Sequence, residues 1–177
     1  SSAMKRSEAV TLSTVHQLLA TGAYGVMRRG DIFGIWTFDR EVYDKKFPPQ
    51  VWVPEVSGAL AGSAAQFLKG EKYSWAAKLD PAVARFVQTM KAAPAMTVFL
   101  ITDGSEVLFG TPFDLEISTI LVQHAGEMAK EKRPFVVTLA ARDGKITGWS
   151  VDAGGGRIAV PIAAKPDNQT KPPEPEP

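Results

Sequence analysis

The chain contains no cysteine among its 177 residues. That excludes disulfide bridges, thiolate zinc sites and a cysteine nucleophile. Net charge is nearly absent as well, since 20 Lys and Arg stand against 19 Asp and Glu, for a formal +1. No dense Lys/Arg patch breaks this balance, so nucleic acid and anionic membrane surfaces find no general attraction. No apolar run is long enough to span a bilayer, and membrane insertion of this segment is not expected. Histidine is scarce: His16 and His124 each lack a neighbouring His or acidic pair at metal-ligand spacing. Gly62-Ser63 is not part of a nucleophile elbow, and Lys69-Gly70-Glu71-Lys72 lacks the G-K-[ST] of a P-loop. What the chain does have is ordinary globular material, 45% hydrophobic and 22% charged, enough for one domain with a real core.

The apolar residues are organised into alternating periods. Leu12, Val15, Leu18 and Leu19 recur at helical spacing over residues 4–21, with Gly22 placed to stop the helix. Residues 32–38, IFGIWTF, predict a buried strand after the turn-forming Arg29-Gly30-Asp31. An irregular stretch through Pro48-Pro49 then leads to a short extended piece at 51–53. Residues 55–69 predict a helix, and another starts near Asp80-Pro81, with Asp80 as N-cap and Pro81 in the first helical position. Residues 96–102 form a nearly unbroken apolar run, expected to be a strand buried on both faces. A helix over 113–132 carries Leu115, Ile117, Ile120, Leu121 and Met128, and strands follow at 135–139 and 146–151. Six of the thirteen prolines lie after residue 160, so 165–177 is expected to be an extended linker or tail.

Strands alternating with long helices predict an α/β domain with a doubly wound, mostly parallel central sheet and helices on both faces. Asp103, at the carboxyl end of the 96–102 strand, would then sit where such sheets place their ligand crevice.

Three landmarks in order carry a family resemblance. Ser1-Ser2-Ala3-Met4 is similar to the end of a D-x-S-x-S-M signature, 31–38 to a second strand ending in Phe, and Ile101-Thr102-Asp103-Gly104 to a strand ending in T-D-G. Together they resemble the von Willebrand factor A-type (VWA) domain over roughly residues 1–151. The resemblance implies a metal-ion-dependent adhesion site that holds Mg²⁺ through oxygen ligands and leaves a position open for a partner's carboxylate. Carried across, Ser1 matches the first Ser of the signature, Asp103 the distal Asp, and Ser74 the Thr position. Two departures weaken the site. Ala3 stands where the second Ser belongs, and the signature's Asp and first strand would precede Ser1. Upstream residues are the favoured source of that strand; a second explanation is that another segment or another chain fills the slot, with Arg157-Ile158-Ala159-Val160 the candidate within the chain, and a third is an accidental match at Ser1-Ser2-Ala3.

The domain is thus expected to cover 1–164, and its expected function is binding rather than catalysis. It would be a protein-interaction or scaffold module with a weakened or absent metal site. A working magnesium-dependent adhesion domain is one alternative; a small α/β hydrolase is another, and would need a base and nucleophile converging near Asp103. Trp75, Leu108 and Phe109 are expected to rim the partner-binding face, since bulky apolar residues anchor interfaces.

Overall fold

The computed structural model describes residues 4–73, 76–153 and 157–161. A 3₁₀ turn at Met4–Ser7 leads into α1 (Glu8–Ala20) and the single turn α2 (Gly22–Gly25). The hairpin β1 (Ile32–Phe38) and β2 (Val42–Val51) follows, then α3 (Ser57–Lys69) and α4 (Leu79–Ala92). After these come β3 (Ala95–Thr102), α5 (Asp114–Glu131), β4 (Phe135–Arg142) and β5 (Lys145–Asp152).

The doubly wound, mostly parallel sheet expected from the sequence is not what the chain builds. Among the described residues there are two sheets, β1-β2 and β3-β4-β5, and every pairing in them is antiparallel. The decisive connection is β3 to β4, where Thr102 pairs with Phe135 and Ala95 with Arg142. A strand–helix–strand unit of this size ordinarily crosses over to a parallel neighbour. Here the 103–113 segment carries the chain back along the sheet before α5 begins. Phe113 packs on Trp149 with ring centroids 5.7 Å apart, and the register partner of Trp149 is Leu139, opposite Val98 in mid-strand. The helix α5 then returns the chain to the end at which β3 finished, so β4 must run the other way.

The layers follow from which side chains each strand turns outward. Leu100 of β3 and Phe135, Val137 and Leu139 of β4 face Leu79, Val83 and Phe86 of α4 and Ile117, Leu121 and Met128 of α5. Val136 and the half-buried Phe99 and Ile101 face the opposite way, toward Leu18 of α1 and Ala23 of α2. The hairpin spans the same two layers. Its Trp36 and Phe38 pack on the α4/α5 core, while Phe33 and Ile35 pack with Leu19, Ala61 and Ala64 of α1 and α3.

Several local expectations change for physical reasons. Residues around Pro48 and Pro49 form part of β2 rather than an irregular stretch, because an outer-edge strand tolerates a missing N–H. The α4 helix begins at Leu79 with Lys78 as N-cap, and its first N–H is bonded by Glu106 from a distant loop instead of by Asp80. The 96–102 strand is not buried on both faces: within β3 only Leu100 and Thr102 are buried. Gly22 does end α1, with φ 59° immediately after the C-cap Thr21. A Cβ there would lie 2.6 Å from the Trp52 ring, whose Nε1 donates to Leu19 O at 2.8 Å.

Candidate functional site

The segment between β3 and α5 is held at five points, and this fixes what it presents. Asp103 Oδ1 accepts the Ser105 N–H at 2.9 Å, a side-chain turn typical of Asp in loops. Gly104 has φ 73°, and a Cβ on it would lie 2.3 Å from the buried Phe135 ring, so both conformation and space require glycine. Glu106 Oε2 accepts the Leu79 N–H at 2.7 Å, tying the loop to the start of α4. Leu108 is 1% exposed and sits in the core beside α4 and α5. The Asp114 carboxylate then accepts the N–H groups of Gly110 and Thr111 at 2.7 and 2.9 Å and the Thr111 hydroxyl at 2.6 Å. These bonds close the loop onto the first turn of α5, where a negative charge is also favoured by the helix dipole.

Between the buried Leu108 and the tied Gly110, Phe109 is left 58% exposed. The helix that follows has exposed apolar residues of its own. Leu115 is 82% exposed and Val122 is 74% exposed, and they lie two turns apart on one side of α5. Ser118 and Thr119 stand between them on the same surface. The side chains that α5 buries, Ile117, Leu121 and Met128, lie on its other side. Helical geometry makes this legible, because at 3.6 residues per turn positions 117, 121 and 128 fall roughly 200–240° around the helix from Leu115. In the sequence Leu115 stands among the apolar residues of this helix without distinction, and its seven-residue spacing from Val122 is the signal that sets the pair apart.

The expected site residues are placed unevenly. Ser1, Ser74 and Trp75 lie outside the described residues. Asp103 is half-buried at the end of β3, its carboxylate engaged by Ser105. The nearest acidic residue in the loop, Glu106, is committed to the α4 start. Among the described residues no group of three or more His, Asp or Glu side chains converges, so these residues by themselves do not fit a magnesium site. Leu108 turns into the core, and of the two described residues of the expected rim it is Phe109 that faces solvent. No described helix is long and apolar enough to cross a membrane. No family model, curated protein or solved structure matches the chain.

Proposed function

We propose that the protein is a protein-interaction module that docks a partner's amphipathic helix along the outward side of α5. The single observation that carries this reading is the pair Leu115 and Val122, at 82% and 74% exposure on a helix whose opposite side is already packed. Isolated exposed apolar residues need no explanation, but a seven-residue repeat on one helix side is the geometry of a helix–helix contact. Ser118 and Thr119 between them are small and uncharged, which allows a close approach of a second helix backbone. Phe109 is a further exposed apolar side chain, in a loop whose backbone is already fixed by Asp114 and Leu108. A fixed loop loses little conformational freedom on binding, which favours affinity.

The occupant is therefore an uncharged, apolar helix side of a second protein. A photo-crosslinking residue at Val122, used in the cells that make the protein, identifies the partner. The purified partner should then bind wild type at least tenfold more tightly than a Leu115→Ser, Val122→Ser variant, with both forms melting at the same temperature. Equal binding by the two forms overturns the reading.

A further inference from the structure

The two sheets have four outer edges, and they are treated differently. Exposed strand edges invite pairing with other chains, and folded proteins blunt them with charge, proline or a covering segment. The β2 edge carries Asp44, Lys45, Lys46, Pro48 and Pro49. The β5 edge starts at Lys145 and is accompanied by the 157–161 segment, where Ala159 O accepts the Ser150 hydroxyl at 2.5 Å. In that segment Ile158 is buried against Val136 and Leu18, so it serves as cover rather than as an extra central strand. By contrast β3, AMTVFLIT, and β1, IFGIWTF, contain no charged residue and no proline. Among the described residues β3 pairs only with β4 and β1 only with β2, and the two are not paired with each other.

The backbone groups that β3 leaves unpaired among the described residues can be named. The Asp143 N–H donates to Pro94 O at 3.0 Å, one step beyond the Ala95–Arg142 pair and in the same register. An antiparallel ladder alternates with period two. Met96, Val98, Leu100 and Thr102 therefore direct their N–H and C=O groups toward β4. Ala95, Thr97, Phe99 and Ile101 direct theirs outward. The β4–β5 turn agrees. Asp143 and Gly144 have φ of 49° and 76°, a two-residue turn that makes Arg142 bond to Lys145 and so aims Arg142 away from β3.

We propose that the outer edge of β3 takes an extended, apolar, proline-free segment of a partner polypeptide as an added strand. Only an extended backbone matches alternate N–H and C=O groups spread over Ala95 to Ile101. Its side chains must be apolar in both directions. Phe99 and Ile101 lie with Leu18 and Ala23 on one side, and Met96 and Val98 lie with the α4/α5 core on the other. Trp36 and Phe38 of β1 pack on that same α4/α5 core, so a single narrow strand suits this edge better than a second folded copy. This surface is separate from the α5 side and extends the interaction reading to a second class of partner.

The probe is a displayed library of random twelve-residue peptides, followed by synthesis of the enriched sequences. Enriched peptides should be apolar at both alternating positions, rich in β-branched residues and free of proline. Thr97→Pro should weaken them at least tenfold while leaving the melting temperature nearly unchanged, because the Thr97 N–H faces away from β4 and its side chain is exposed. Independently of that variant, methylating alternate peptide amides should abolish binding for one set of positions and spare it for the other. Equal binding to Thr97→Pro, insensitivity to amide methylation or no enrichment over an unrelated control protein overturns the proposal. So does a dimer by sedimentation that Thr97→Pro dissociates, which would assign the edge to a second copy. The Leu115→Ser, Val122→Ser variant should keep its peptide affinity; loss of that affinity overturns the separate edge site.

Discussion

β3 and β4 are adjacent strands of equal length and both mostly apolar, yet they live in different environments. Seven of the eight β4 residues are buried, whereas β3 buries two. Among the described residues β4 is paired on both sides and β3 on one. Their side chains reach the same two cores, so the difference lies in the missing neighbour rather than in sequence. Burial in a sheet depends as much on what flanks a strand as on its hydrophobicity.

The largest test of this contrast is a pair of truncations. Phe135→Ala in β4 removes a fully buried ring and should cost about 3–5 kcal/mol, the range for large-to-small changes in a packed core. Phe99→Ala in β3 should cost roughly half as much, since its ring is only half-buried and less transfer free energy is lost. Chemical denaturation of both variants measures this directly. Equal losses would mean that β3 is as enclosed as β4.

A smaller effect sharpens the description of β4. The Thr138 hydroxyl is fully buried and has no hydrogen-bond partner among the described residues. Thr138→Val keeps the shape and removes the unmet polar group, so stability should rise by about 1 kcal/mol. A loss on the same denaturation assay would show that the hydroxyl is satisfied in solution.

The smallest effect concerns the carboxyl end of β3. With Asp103 engaged by Ser105 and, on the VWA resemblance, Ala3 where that family has a serine hydroxyl, Mg²⁺ is expected to bind at millimolar strength or not at all. The melting temperature should then be almost unchanged by millimolar Mg²⁺. Calorimetry showing a micromolar site that disappears in Asp103→Ala would contradict this.

Much of the local structure is legible in the chain. The strands at 32–38 and 96–102 and the long helix before Pro134 announce themselves through apolar runs and helical periodicity, and β1, β3 and α5 occupy those places. Strand direction was not legible. Periodicity reports which residues are buried, and a strand–helix–strand pattern leaves open whether the intervening loop first runs back along the sheet, as 103–113 does. The prolines at 48 and 49 masked β2 because an outer-edge strand can spare an N–H, and nothing local identifies which strand will be outermost. The candidate surface was half-readable. Phe109 stood out as a bulky apolar residue in a loop, but Leu108 beside it has the same character and turns inward. Only the contacts with α4 and α5 separate the two. The outward Leu115 and Val122 were readable from the helical wheel alone.

The open edge of β3 is tested most directly by amide hydrogen exchange resolved residue by residue. The account predicts alternation along the strand. Met96, Val98, Leu100 and Thr102 should be as protected as the β4 amides, while Ala95, Thr97, Phe99 and Ile101 should exchange far faster, because fast exchange follows from unpaired N–H groups. Uniform strong protection from Ala95 to Thr102 would contradict it, showing that the isolated protein already covers this edge.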